Sequence, residues 1–232
     1  MLYFDPLYLV LVAPGLLLAV YATLKVKATF AQAKEVLTRR GWTGAQMAQS
    51  ILNAEGIRDV TIEPVEGYLS DHYDPRRKVL RLSPDVFYGR SLAAAGVAAH
   101  EVGHAIQDAR GYAPLAWRNS IVPIAGFGSS FAWILIMVGI AWTFKTLAIV
   151  GCALFAMVVL FQVVNLPVEF NASSRARQTL LVNGLTDEVE DRQIGRVLNA
   201  AAMTYVAATV TAVLTLLYFL IRAGLLGGSR RD

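Results

Sequence analysis

Four stretches of this chain carry no charged residue: Leu7–Leu24, Ile121–Phe144, Thr146–Leu166 and Ala200–Ile221. An α-helix rises about 1.5 Å per residue, so about 20 apolar residues cross the roughly 30 Å hydrocarbon layer of a bilayer. The first stretch is the shortest and contains Pro14. With no water in that layer, a span must satisfy its backbone polar groups internally, and a helix does so within one segment. Four transmembrane helices are therefore expected, rather than core helices of a soluble domain. The composition agrees: 16% of residues are charged, against about 25% in a typical soluble domain. The N-terminus lacks a basic region and a small-residue cleavage site, so the first span is expected to be retained. Cys152, the only cysteine, lies inside the third stretch. That excludes an intramolecular disulfide and disfavours a thiolate metal site or nucleophile.

The spans divide the chain. Residues 1–24 form the first transmembrane segment, and 25–119 an extramembrane region. Residues 120–166 hold the second and third spans. Residues 167–199 form a second extramembrane, helical segment, and 200–232 the fourth span with a basic tail. Basic residues set the orientation. The side bearing 25–119 and 167–199 holds 17 of the 21 lysines and arginines; the other holds Lys145, Arg222, Arg230 and Arg231. The positive-inside rule places the charged regions in the cytoplasm. Orientation accounts for the net charge of +4. Basic and aromatic residues do not interleave, so no nucleic-acid partner is expected.

Residues 100–104 read His100-Glu101-Val102-Gly103-His104. Positions four apart on a helix differ by about 40° around the axis and about 6 Å along it. Two imidazoles so spaced can grip one metal ion from the same face. Glu101 can then lean over an open coordination position as a general base. That is the arrangement of a zinc hydrolase. The motif needs a helix, and the flanks supply one. Ser91 is a suitable N-cap, alanines dominate the first turns, and Gly111 followed by Pro114 ends the run. Upstream, Lys25 to Arg39 reads as a helix continuing from the first span. Thr43 caps a helix that stops at Gly56. Val60–Ile62 reads as a strand ended by Pro64, and Asp74-Pro75 as a turn. Lys78–Leu82 alternates as a strand, and Ser83-Pro84 opens a helical turn. The Lys78–Leu82 strand is expected to be an edge to which an extended peptide could add. Gly126, Gly128, Ser129 and Ser130 suggest close helix packing in the second span.

A catalytic zinc generally has three protein ligands and one open position. Position 110 is Arg110 and position 107 is Gln107, which excludes the extended HExxHxxGxxH pattern. The remaining candidates are His72 and acidic residues on the same side of the membrane. Glu169 stands out, just after the third span, although an acid at a solvated helix start would look the same. Asp108 is one turn beyond His104 and is better suited to pair with His104 or Arg110.

HEVGHAIQ, with Asp71-His72-Tyr73-Asp74-Pro75, Leu80-Arg81-Leu82-Ser83 and Pro167-Val168-Glu169-Phe170-Asn171-Ala172-Ser173, resembles the YugP-like neutral zinc metallopeptidases, which are bacterial membrane proteins. It is more distantly similar to the HtpX-like membrane proteases, in which a Glu on a later helix completes the HExxH site. The resemblance implies Glu169 as third ligand. Ser173 stands where the HtpX-like pattern has Asp, and Asn171 where YugP-like relatives tend to have Asp.

The resulting expectation is an α-helical integral membrane protein with about four transmembrane helices and a small α+β zincin-like catalytic domain. One Zn²⁺ would be held by His100, His104 and Glu169, with Glu101 as general base in peptide-bond hydrolysis. His72, Tyr73, Tyr112 and Arg175 are candidate substrate or transition-state contacts. Glu169 follows Leu166 by three residues, so the expected substrate is a protein or peptide at the membrane surface. The expected location is the inner (plasma) membrane, with several passes through the bilayer. The alternatives are an inactive zinc-binding scaffold and a hydrolase of a non-peptide substrate. The spans carry no Asp, Glu, Lys, Arg or His, which disfavours an ion or proton transporter. The sequence leaves the oligomeric state open.

Overall fold

The computed structural model describes residues 5–67 and 70–226. Arg230 and Arg231 of the basic tail lie outside the described residues, as do the first four residues of the N-terminal segment. The described chain is mostly helical. In order it comprises α1 (Pro6–Lys34), α2 (Gly44–Ala54), β1 (Thr61–Pro64), β2 (His72–Asp74), β3 (Val79–Leu82), α3 (Pro84–Phe87), α4 (Leu92–Ala109), α5 (Ala113–Ala141), α6 (Lys145–Val182) and α7 (Glu188–Arg222). By length and composition, α1, α5, α6 and α7 can each cross a membrane. The chain forms two compact units: residues 1–21, 117–166 and 204–232, and residues 22–116 and 167–203. Each boundary expected between spans and extramembrane regions falls inside a continuous helix.

In the first unit the apolar windows stay largely uncovered. Leu17 is 69% exposed and Ile134 57%, which a soluble core helix would not leave to water. A small core gathers Ala132, Ile136, Cys152, Phe155 and Phe219, with Trp133 edge-on to both phenylalanine rings. The helices approach closely where they lack side chains. A Cβ at Gly128 or Gly139 would come within 3.0 Å of the α6 backbone, and one at Gly151 within 3.0 Å of the α5 backbone. Of the residues singled out for such packing, Gly128 serves it, but Gly126 has nothing near it. Ser129 and Ser130 donate instead to Gly126 O of their own helix, at 2.8 and 3.3 Å.

The second unit is built around α4. Its core includes Met47, Ile51, Leu52, Leu80, Leu82, Val102, Ile106, Leu180 and Ile194. Thr43 caps α2 in a reciprocal pair with Gln46. Ser91 caps α4 by accepting from Ala94 N at 3.2 Å. Gly111, at φ 62°, takes the left-handed conformation that ends α4. Helix α1 stops at Lys34, short of the expected Arg39. The chain there leaves the helix to meet the start of α4: Leu37 bridges Ser91, and Leu92 N donates to Val36 O at 2.8 Å. One of α4's first amide groups is thereby satisfied by tertiary pairing, which local periodicity does not encode.

The sheet order is β1-β3-β2, with β1 parallel and β2 antiparallel to β3. This corrects the expected role of the Lys78–Leu82 strand. It is the central strand, paired on both sides, with Leu80 and Leu82 fully buried. Its apolar side chains suit that place, and β3 itself has no free edge for a peptide. Strand β2 was not expected, since three residues are too few to show alternation. Pro64 belongs to β1 rather than stopping it, which an edge strand tolerates. Ser83 precedes α3, but its hydroxyl makes no cap bond. It donates to Asp71 at 3.0 Å, as does its amide at 2.7 Å, pinning the start of β2 to the end of β3.

Candidate metal centre

The candidate metal centre lies where α4 meets the C-terminal part of α6. The two helices touch backbone to backbone: a Cβ on Gly103 would fall within 3.0 Å of the Ala172 carbonyl carbon and oxygen. The glycine inside the HExxH motif is therefore a packing requirement. It lets the α6 segment come close enough for Glu169 to reach both histidines. Gly103→Ala is expected to cost about 1–3 kcal/mol of overpacking and to weaken metal binding, measurable by thermal denaturation with and without zinc. Wild-type behaviour in both would contradict this.

Nε2 of His100 lies 3.2 Å from Glu169 Oε2, and Nε2 of His104 lies 3.7 Å from the same oxygen. One ligand atom from each of the three residues falls within 4.8 Å of the others. Ligands about 2.0–2.2 Å from a common tetrahedral centre are separated by roughly 3.3–3.6 Å, so the spacing suits one ion. Two imidazole nitrogens and a carboxylate form a donor set that matches zinc. Glu169 is 3% exposed and His104 7%, while His100 is half-buried. A carboxylate so buried needs cationic or polar partners. Glu169 is also not at a helix start, because α6 runs unbroken from Lys145 past Pro167. The helix-dipole explanation for an acid at this position therefore fails.

The imidazoles are held from behind. Nδ1 of His100 is 3.0 Å from Ser173 Oγ, and Nδ1 of His104 is 3.0 Å from Gln107 Oε1. Gln107, fully buried, donates from Nε2 to Val168 O at 2.7 Å and to Asn171 Oδ1 at 3.0 Å. Ser173 and Asn171 are the positions where the chain departs from the related patterns, and both are engaged around the histidines. Gln107 had stood out in the sequence only as a missing glycine. A glutamine on the apolar face one turn after His104 was the available signal. Glu101 follows His100 on α4 and is half-buried, and its charge contributes to raising the His104 pKa.

Burial alone would raise the Glu169 pKa and lower that of His104. The pairing overrides burial in both: His100 and His104 hold the Glu169 carboxyl far below its ordinary 4.5, and Glu169 and Glu101 raise His104 above 6.5. A metal needs His104 deprotonated at Nε2. Acidification through the raised His104 value loads a competing proton, so metal affinity is expected to fall with decreasing pH, beginning above pH 6.5. Zinc titrations between pH 6 and 8 check this, and a pH-independent affinity would contradict it.

The other expected contacts are placed elsewhere. His72 is exposed on β2, with Nδ1 2.7 Å from Ser70 O and Nε2 3.4 Å from Arg81 Nη1. It does not join the three-residue cluster. Tyr73 donates its hydroxyl to Asp108 at 2.8 Å, and Lys78 pairs with the same carboxylate at 2.6 Å. Burial and the Asp108 charge raise the Tyr73 pKa. Asp108 thus ties α4 to the sheet, whereas the sequence suggested His104 or Arg110; Arg110 pairs with Glu55. Arg175 donates from Nε to Asn171 Oδ1 at 2.7 Å and lies over the Tyr112 ring at 5.8 Å.

Comparisons with known proteins bear on this geometry. The profile of a family described as "Putative neutral zinc metallopeptidase" matches residues 8–224. The "Putative membrane protease YugP" of Bacillus subtilis (strain 168) is 44% identical over 215 residues, covering 93% of this chain and 96% of that protein. No solved structure matches the chain.

Proposed function

The chain belongs to the neutral zinc metallopeptidase family, and from that premise we propose that it is a membrane-embedded zinc endopeptidase acting on membrane-proximal proteins. The observation that carries this reading is the buried convergence of His100, His104 and Glu169. These residues would hold one Zn²⁺ through the two imidazole Nε2 atoms and a carboxylate oxygen. Zinc bound there supplies Lewis acidity toward a water and a peptide carbonyl.

The chain's own residues do the rest. The Glu101 carboxylate accepts a proton from the attacking water and returns it to the leaving amide nitrogen. Ser173 and Gln107 orient the imidazoles. Of the candidate substrate contacts Tyr112 is the better suited, because the Tyr73 hydroxyl is committed to Asp108, both His72 nitrogens face other partners and Arg175 Nε is held by Asn171. The small sheet beside the HExxH helix is compatible with a zincin-like arrangement. Only Pro167 and Val168 separate Glu169 from the apolar stretch ending at Leu166. That short link favours substrates emerging near the bilayer, and the basic-residue bias favours a cytoplasmic site in the plasma membrane.

The test uses the chain in proteoliposomes with one fluorogenic peptide, either tethered to a transmembrane anchor or free. The expected result is faster cleavage of the tethered form, abolished by chelation and restored by zinc. Chelator-insensitive cleavage, or cleavage by His100→Ala, would overturn the zinc mechanism. Equal rates on both substrates would overturn the membrane-proximal preference.

A further inference from the structure

Gln107 belongs to a hydrogen-bond chain whose two outer ends admit only one role each. The Val168 main-chain carbonyl can only accept, so the end of the Gln107 amide facing it is the NH₂ group. The Arg175 guanidinium can only donate, so the end of the Asn171 amide facing it is the oxygen. That oxygen also lies 3.0 Å from Gln107, and only the Gln107 NH₂ can donate to it. Both Gln107 protons are thus spoken for, and its remaining polar atom, Oε1, is the one facing His104 Nδ1. A carbonyl oxygen requires a donor, so Nδ1 carries the proton.

We propose that Gln107 is a positioning residue that fixes neutral His104 as its Nδ1–H tautomer. The Nε2 lone pair is then aimed at the position shared with Glu169. This rests on the zinc reading above and deepens it. The logic does not extend to His100, because the Ser173 hydroxyl can donate or accept. Arg175 is the anchor of the chain, acting through Asn171, and Gln107 also joins the HExxH helix to α6 through Val168 O. The fixed tautomer means that zinc meets a ligand already prepared, since the orienting partner of a metal-bound histidine typically accounts for about 10–100-fold in metal affinity.

Two substitutions separate orientation from bracing. Gln107→Met keeps the volume and removes every bond. Gln107→Glu keeps an acceptor for Nδ1 but loses both donations to α6. Zinc dissociation constants are measured by chelator competition on the full chain in detergent, after circular dichroism shows native helicity and with melting curves alongside. The expected result is a loss of about 10–100-fold for Gln107→Met. Gln107→Glu should stay much closer to wild type in affinity while melting at a lower temperature. Unchanged affinity in Gln107→Met, or equal loss in both variants, would overturn the proposal.

A direct readout needs neither zinc nor a folded variant. In the ¹⁵N-histidine-labelled wild-type chain, above the His104 titration, the ring shifts should report Nδ1–H. The Nε2–H tautomer would overturn the assignment. If the wild-type chain took up no zinc, the functional reading would fail, while the tautomer result would still stand or fall by itself.

Discussion

Glu101→Gln should leave one zinc per chain in place and lower peptide hydrolysis by about 10²–10⁴-fold, the usual range for a general acid–base group. Glutamine preserves shape and can donate or accept hydrogen bonds, but it cannot take up a proton from water. Glu101 is half-buried on α4 next to His100, and it is not one of the three residues whose ligand atoms converge. The substitution therefore separates binding from turnover. The check is zinc content by elemental analysis beside the initial rate of cleavage in proteoliposomes. Loss of zinc would make Glu101 part of the binding set. Retained cleavage would remove it from the chemistry and leave a hydrolytic mechanism without its base.

Glu169→Ala should have the opposite signature. It takes away one of the three proposed ligands and leaves the two imidazoles without their shared carboxylate. Zinc occupancy should fall below detection at free zinc concentrations that saturate the wild type, and activity should fall with it. His72→Ala is the matched control, since His72 sits exposed on β2 beside Arg81 and outside the cluster. It should keep full occupancy. The reverse pattern, with zinc lost in His72→Ala and kept in Glu169→Ala, would exchange the third ligand.

The parts of the fold that were legible in the sequence are those written locally. The four uncharged stretches, the Ser91 cap, the alanine-rich first turns and Gly111 mark helices through composition and end signals that need no distant partner. The HExxH face follows from helical spacing alone. What the sequence left obscure depends on residues far apart in the chain. Helix α1 ends early because 36–38 pair with 90–92. Asp108 turns to Tyr73 and Lys78 because β2 packs beside α4. Strand β3 is central because a three-residue strand, too short to show a period, covers its second edge.

The proposed third ligand illustrates the same division. Local composition could not separate Glu169 from an acid at a solvated helix start. Its 3% exposure and its place inside α6, opposite two histidines, make that distinction, and both are tertiary facts. Gly103 carries the cause. With a Cβ at position 103, the Ala172 backbone could not approach so closely, and the site would open. Gln107 was hidden for a related reason. A glutamine on an apolar helix face has meaning only once the acceptors opposite it are known.

The most direct test of the central claim is an anomalous difference map recorded at the zinc absorption edge from crystals of the zinc-loaded chain. The account predicts one strong peak per chain, about 2.0–2.2 Å from His100 Nε2, His104 Nε2 and a Glu169 carboxylate oxygen. A peak coordinated by His72, or one bound by the two histidines with Glu169 turned away, would contradict it.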